Sequence, residues 1–200
     1  MQFKFITFCF FSTWLAMILI GHGWLLEEAS EGAEAAASQN WPSDSALPLM
    51  MDKYTLLFFA HPKCTCTRAS LYELDRLMAR YNDKIEGHLA FATDPEFGTV
   101  SAQDENPLWA HGNRIEGIRP FLDHNNAEIR RFQVRVSGTV LLFSPAGKLC
   151  FAGGITPFKG HCGISAGRQA IESVIASKAT ELIRTPVFGC SLVAPQPSRG

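Results

Sequence analysis

Apolar residues form two kinds of pattern along this chain, and together they predict alternating strands and helices. The continuous apolar run 54–60 is rich in strand-forming residues and is typical of a buried central strand. After it, leucine, methionine and tyrosine side chains recur at helical spacing, so segment 63–81 is predicted to be an amphipathic helix. The next elements predicted in this way are a strand at 88–92, a short helix capped by Asn106, a strand at 117–122 and a short helix at 125–132.

The C-terminal half carries a hairpin signal followed by a helix. Strand-like runs 139–143 and 148–152 flank the segment 144–147, in which Pro and Gly are typical of a turn. Apolar residues then recur on one helical face from Ile171 to Ile183, until Thr185-Pro186 ends the pattern. The order β-α-β-α-β-α-β-β-α predicts an α/β fold with a mixed sheet flanked by helices.

The N-terminus begins with a long apolar stretch. Residues 5–26 contain no Asp, Glu, Lys or Arg, and about 20 apolar residues suffice for a helix to cross a bilayer. Lys4 precedes the stretch and Glu27-Glu28 follow it, so the positive-inside rule places residues 1–4 in the cytoplasm. We predict a single-pass inner-membrane anchor with a periplasmic C-terminal domain. A cleaved signal peptide is the alternative, since the Ala-rich segment 33–37 could hold a cleavage site.

Composition divides the rest of the chain and excludes one class of partner. Residues 27–52 are rich in Glu, Ala, Ser and Pro without apolar periodicity, which predicts a flexible linker. The folded domain is then expected at 53–183, with a C-terminal tail at 184–200. The formal net charge is −1 and no block of basic residues occurs, so no nucleic-acid partner is expected.

Two of the six cysteines occupy a position that favours reactivity. Cys64 and Cys66 lie where the predicted buried strand is followed by the predicted helix. The N-terminus of a helix offers unpaired N–H groups and a partial positive charge, both of which stabilise a thiolate. Such thiols have lowered pKa values and react at neutral pH. His61, three residues before Cys64, is a candidate for orienting the thiolate or acting as a base; otherwise it is a loop residue that ends the strand.

The strand, the Pro-containing loop, the paired cysteines at a helix start and the late hairpin with its closing helix resemble the thioredoxin-like superfamily over residues 53–183. Within that range the segment HPKCTCTRAS is similar to the HPxCxCTR segment of bacterial membrane-anchored thioredoxin-like proteins of the RedB type. The resemblance implies the fold more strongly than the function. Further similar stretches are 137–142, 153–156 with 160–161, and 185–190.

Two features depart from ordinary thioredoxins. A single residue, Thr65, separates the cysteines where thioredoxins have two. A disulfide that closes over one residue is expected to be strained and therefore easier to reduce. In addition, Gly138-Thr139 fill the position before a strand where thioredoxins place a cis-proline beside their cysteines. This departure weakens the case for a general disulfide reductase and leaves the sulfurs more open to a metal.

The first hypothesis for function is a thiol–disulfide oxidoreductase or redox partner without an organic cofactor. In it, Cys64 attacks a disulfide as a thiolate and Cys66 resolves the mixed disulfide. The expected partners are protein thiols and disulfides in the extracytoplasmic space. Cys162 and Cys190 are candidates for additional resolving thiols, whereas Cys150, within a predicted strand, is interpreted as a core residue.

Two other hypotheses remain open at this stage. The first is a copper-binding protein, since two thiolates and an imidazole suit Cu(I); its ligands would be Cys64 and Cys66 with His61 or His161. The second is a non-catalytic, membrane-anchored interaction domain.

Overall fold

The computed structural model describes residues 10–22, 32–93, 106–177 and 183–192. The chain divides into two units, residues 1–31 and residues 32–200. In the first unit, residues 10–22 form helix α1. The predicted anchor 5–26 extends past α1 on both sides, into residues outside the described ranges. Within those ranges no helix is both long enough and apolar enough to span a membrane.

The second unit is built on a single six-stranded mixed sheet, which confirms the predicted α/β class. The elements are β1 (Tyr54–Ala60), α2 (Thr65–Tyr81), β2 (Ile85–Ala92), α3 (Pro107–Gly112), β3 (Ile118–Asp123), α4 (Ala127–Arg131), β4 (Thr139–Phe143), β5 (Leu149–Gly153), α5 (Ala166–Ser177) and β6 (Ile183–Arg184). A 3-10 turn, His124–Asn126, precedes α4. The strand order is β3-β2-β1-β4-β5-β6, in which β1 is parallel to β2 and antiparallel to β4.

Strand β1 is apolar throughout because both faces of the sheet are covered at its centre. Successive side chains of a strand point to opposite faces. Leu56 and Phe58 belong to the core cluster that includes α2 and α5, whereas Leu57 and Phe59 belong to a second cluster on the other face. All four side chains are almost fully buried. The central position of β1 fixes where its C-terminal end, and the loop after it, can lie.

Helix α2 packs one face on the sheet, as its helical spacing predicts. Leu71, Leu74, Leu77 and Met78 are buried in the first core cluster. Tyr72, Asp75 and Arg76, which lie between them in the sequence, are exposed. The burial of four large apolar side chains, each worth about 1.5–3 kcal/mol, holds the helix against the sheet. The start of α2 is thereby held at the end of β1.

Asn106 caps helix α3, as predicted, and also touches the loop after β1. Its side-chain oxygen accepts hydrogen bonds from the backbone N–H groups of Leu108 at 2.9 Å and Trp109 at 3.2 Å. Its side-chain amide donates to the carbonyl of Pro62 at 2.9 Å. The cap of α3 therefore supports the His61-Pro62 turn that leads into α2.

Residues 32–52 pack against the domain, so the expected flexible linker does not describe them. The Trp41 ring lies 5.1 Å from that of Phe132 and 5.2 Å from that of Phe143, edge-on to both. The backbone N–H of Trp41 donates to the carbonyl of Gly147 at 2.8 Å, and Ala35 is 2 % exposed. These contacts come from isolated side chains without periodicity, which is why the composition alone indicated a linker.

The C-terminal end of the described chain also differs from the expectation. Ile183 was expected in the last helix, but it begins β6, which pairs parallel to β5. An edge strand offers unpaired backbone groups, and β6 satisfies some of those on β5. Beyond it, Val187 pairs with Ala33, and both Val187 and Leu192 are buried. Residues 184–192 are therefore part of the domain rather than a separate tail.

Replacing Trp41 tests whether residues 32–52 stabilise the domain. Two aromatic contacts and partial burial are lost in Trp41→Ala, so we expect the free energy of unfolding to fall by about 2–3 kcal/mol in chemical denaturation. Met51→Ala is the control, because Met51 is 79 % exposed and its removal should change that energy by less than about 0.5 kcal/mol. Equal, small effects from both variants would restore the linker interpretation.

Candidate active site

Cys64 is the N-cap residue of α2. Its backbone is extended, with φ −79° and ψ 111°, and the helix begins at Thr65. The backbone N–H of Cys64 donates to the carbonyl of His61 at 3.0 Å, which closes the turn after β1. A sulfur at this position faces the partial positive charge of a 17-residue helix. The location that the sequence predicts for Cys64, between a buried strand and a helix, is the one observed.

The sulfur in contact with Cys64 belongs to Cys190, which is distant in sequence. The Cys190 thiol donates to the sulfur of Cys64 across an Sγ–Sγ distance of 2.7 Å. The backbone beside Cys190 is held on both sides of the residue. Ser137 N–H donates to the carbonyl of Cys190, and Leu192 N–H donates to the carbonyl of Arg135, each at 2.8 Å. Both cysteines are free thiols.

Gly189 allows the C-terminal segment to lie this close. A Cβ atom built at Gly189 would be 1.8 Å from the carbonyl oxygen of Ser137, far inside the distance at which atoms can coexist. Only a residue without a side chain fits here, and its fit brings Cys190 against Cys64. The sequence does not identify Gly189 as important, because the close approach of two backbone segments is indicated in a sequence only by the glycine itself.

A chain of hydrogen bonds also leads to the Cys64 sulfur through Ser137 and Thr67. The backbone N–H of His61 donates to Ser137 Oγ at 2.8 Å, and Ser137 Oγ lies 2.7 Å from Thr67 Oγ1. Thr67 Oγ1 in turn bonds to the sulfur of Cys64. Because a thiolate only accepts, Thr67 must donate to it, and Ser137 then donates to Thr67. Ser137 and Thr67 are fully buried, so the orientation of this chain is fixed.

These contacts make Cys64 the acidic member of the cluster. Burial opposes ionisation of its thiol. Hydrogen bonds from the side chains of Cys190 and Thr67 and from their backbone N–H groups outweigh burial and lower the pKa of Cys64 to about 7. For Cys190, burial, the hydrogen bond that it donates and the charge on Cys64 raise the pKa to about 12. As the pH rises above about 7, the pair therefore increasingly holds a single proton, which resides on Cys190.

Cys66 lies in the first turn of α2 and is less acidic than Cys64. Burial raises the pKa of its thiol, and the negative charge on Cys64 raises it further. The Thr65 hydroxyl and the Lys159 ammonium act in the opposite direction. Cys64 is 1 % exposed and Cys66 7 %, whereas Cys190 is exposed. Cys64 is therefore almost completely covered, and the exposed Cys190 is in contact with it.

The two histidines have other hydrogen-bond partners. His61 accepts a hydrogen bond at Nδ1 from the backbone N–H of Lys63 at 3.2 Å. His161 is exposed, and its Nδ1 lies 2.8 Å from the carbonyl oxygen of Lys159. Across residues 10–22, 32–93, 106–177 and 183–192, no three or more His, Cys, Asp or Glu side chains are grouped so as to hold a metal ion.

Cys162 lies beside α2, although on a different part of the helix from Cys64. Its exposed sulfur is 3.8 Å from the carbonyl oxygen of Ala69. Glu73 of α2 fixes the loop that contains Cys162. It is fully buried and accepts hydrogen bonds from Gly163 N–H at 2.8 Å and from Arg168 Nη1 at 2.6 Å. Glu73 thus joins α2, the Cys162 loop and α5. Cys150 is buried in β5, as expected for a core residue.

The hydroxyl of Thr67 is expected to keep Cys64 acidic. Thr67→Val removes the donor and keeps the shape, so the pKa of Cys64 should rise from about 7 toward its ordinary value. Thr67→Ser retains the hydroxyl and should titrate nearly as the wild type does. The ultraviolet absorbance of the thiolate, followed against pH and corrected with Cys64→Ser, measures this pKa. Identical titrations of the Val and Ser variants would show that Thr67 acts by packing alone.

Comparison with known proteins gives the fold but no close relative. No protein-family model and no curated protein matches the chain. An uncharacterized conserved protein from Geobacillus kaustophilus is 15 % identical, with a TM-score of 0.58 over 84 % of this chain and 94 % of that one. A hypothetical protein from Sinorhizobium meliloti is 15 % identical, with a TM-score of 0.57 over 80 % of this chain and 92 % of that one.

A third solved structure is the exposed lipoprotein thioredoxin of Streptococcus pneumoniae. It is 17 % identical, with a TM-score of 0.48 over 74 % of this chain and 99 % of that one. In the present chain, Cys64 lies at the junction of β1 and α2 of the mixed sheet, and strands β4 and β5 form a hairpin. The chain has a thioredoxin-like fold.

Proposed function

We propose that this protein is a thiol–disulfide oxidoreductase whose central group is the thiolate of Cys64. The observation that carries the proposal is the set of donors around its sulfur, which includes the Thr67 hydroxyl and the Cys190 thiol. Burial alone would keep this thiol protonated, so the donors serve the ionised form. A structural core cysteine needs no such donors, and Cys150 shows the contrast: its pKa is raised by burial.

The pKa of about 7 also suits exchange chemistry. The thiolate is the nucleophile, but its intrinsic reactivity falls as the pKa falls, so the best attacking thiol has a pKa near ambient pH. A thiol with a low pKa is in addition a good leaving group when a disulfide is attacked. Cys64 therefore serves both directions of exchange.

The reaction proceeds in two balanced steps. The Cys64 thiolate attacks one sulfur of a partner's disulfide, forms a mixed disulfide and expels the partner's other sulfur as a thiolate. A second thiol of the protein then loses its proton and attacks Cys64 Sγ. The second partner sulfur leaves as a thiolate and takes up that proton. Two electrons pass to the partner, and the protein holds the new disulfide; the reverse sequence oxidises a partner's dithiol.

The proposed setting is outside the cytoplasm, tethered to the inner membrane through residues 5–26, as in the RedB-type proteins that the HPKCTCTR segment resembles. The support comes from the sequence: an apolar stretch of spanning length, Lys4 before it and Glu27-Glu28 after it. Disulfide exchange suits that compartment, since thiols in the cytosol are kept reduced. The proposed partners are protein thiols and disulfides.

Exchange with a small disulfide probe should depend on Cys64 and on pH. Because the pKa of Cys64 is lowered, the reactive thiolate accumulates as the pH rises through about 7, and the exchange rate should rise over the same range. Cys64→Ser should abolish the reaction, whereas Cys162→Ser should leave both the rate and the pH profile intact. A Cys64→Ser variant that exchanges at the wild-type rate would refute the proposal.

The anchor and its orientation are tested in cells. A reporter that is active only in the periplasm, fused after Gly200, should be active, and the protein should remain in the membrane fraction after a high-salt wash. Activity of a cytoplasm-only reporter at the same site would reverse the orientation. Release of the protein by salt would instead indicate a cleaved signal peptide.

A further inference from the structure

We infer that Cys190, and not Cys66, is the second thiol of the redox pair, so that the oxidised protein carries a Cys64–Cys190 disulfide. The inference rests on the proposed function and names the residue that completes its chemistry. It pairs a cysteine of the β1–α2 junction with one 126 positions later in the chain. The short CxC segment would then supply one sulfur of the couple rather than both.

The position of Cys190 is the first argument. Its sulfur already lies 2.7 Å from that of Cys64, and its thiol donates a hydrogen bond to the Cys64 sulfur. Three features hold the segment there: the bond from Ser137 N–H to the Cys190 carbonyl, the bond from Leu192 N–H to Arg135, and the close fit of Gly189. The backbone therefore holds Cys190 beside Cys64.

The geometry of Cys66 is the second argument. A Cys64–Cys66 bridge would close over Thr65 alone, with one sulfur at the cap and the other in the first turn of α2. The thiols of Cys66 and Cys64 are close enough to hydrogen-bond, but a bridge between them would close a ring over a single residue and is expected to be strained. Bridging Cys190 requires the two sulfurs to approach by less than one more ångström, to the normal bond length of about 2.05 Å.

The chemistry of the pair is the third argument. In the reduced protein Cys190 holds the proton and donates it toward the Cys64 thiolate. Once Cys64 has formed a mixed disulfide with a partner, Cys190 gives that proton to the departing partner sulfur and attacks Cys64 Sγ. The S–S bond to the partner breaks and the Cys64–Cys190 bond forms. The partner leaves reduced by two electrons, with one thiolate and one thiol in place of its disulfide bond.

The exposure of the two residues fits these roles. Cys64 is almost completely covered, and Cys190 is the exposed residue against it. Movement of Cys190 uncovers Cys64 for the partner, and its return completes the exchange. Cys66 is 7 % exposed, and nothing in this sequence of steps requires it to leave its place in α2.

The test maps disulfides in the full-length chain incubated with a mixture of reduced and oxidised glutathione. After thiol blocking and proteolysis, wild type, Cys66→Ser and the control Cys162→Ser should all contain the Cys64–Cys190 disulfide. Cys190→Ser should lose it and retain glutathione on Cys64, because the mixed disulfide is no longer resolved. The melting temperature should rise on oxidation of the wild type and of Cys66→Ser, since the bond closes a long loop, and not of Cys190→Ser.

Other outcomes separate the two proposals. A Cys64–Cys66 disulfide in wild type that persists in Cys190→Ser would overturn the role of Cys190 and leave the proposed function standing. Absence of any disulfide or glutathione on Cys64 in all variants would overturn both. If Cys190→Ser fails to fold, Gly189→Ala retains every thiol. It should slow formation of the Cys64–Cys190 disulfide by moving the segment away from Ser137, and an unchanged rate would count against the inference.

Discussion

Ser137 joins three separate segments of the chain at one point, and the arrangement of the site depends on it. Its hydroxyl accepts from His61 N–H at the end of β1 and contacts Thr67 in the first turn of α2. Its backbone N–H donates to the carbonyl of Cys190, and its own carbonyl lies against Gly189. A fully buried serine satisfies its polar groups in this way. The strand end, the helix start and the C-terminal segment are thereby held together around Cys64.

This arrangement gives Cys64 two sources of stabilisation. The helix N-terminus contributes its dipole and N–H groups, as in any protein with a cysteine at such a position. The additional hydrogen-bond donors are the Thr67 hydroxyl and the Cys190 thiol. Both reach Cys64 because of Ser137, which directs one hydroxyl toward the sulfur and fixes the segment that carries the other thiol. Ser137 precedes Gly138-Thr139, the pair that stands where thioredoxins place a cis-proline, and it supplies the polar link at this point of the chain.

The parts of this structure that the sequence predicts are those with a local pattern. The apolar run of β1, the helical spacing of α2 and the Pro/Gly turn between β4 and β5 each occupy consecutive residues, and each is found. Trp41 and Cys190 are different, because their partners lie far away in the chain and the residues around them show no period. Ile183 fits a helical period, yet it pairs with β5 as a strand residue. Cys64 was identified from its position, but its contact with Cys190 is a product of tertiary packing.

The donors around Cys64 also affect the balance between the two redox states. They interact strongly with a thiolate and weakly with the sulfur of a disulfide, so they stabilise the reduced protein more than the oxidised one. Because only the ionised form gains, this preference is small below pH 7 and grows as the pH rises above the pKa of about 7. In the proposed couple, stabilising the reduced state makes the disulfide more oxidising. The hydrogen bonds through Thr67 and Cys190 therefore favour the direction in which the protein accepts electrons from a partner's dithiol.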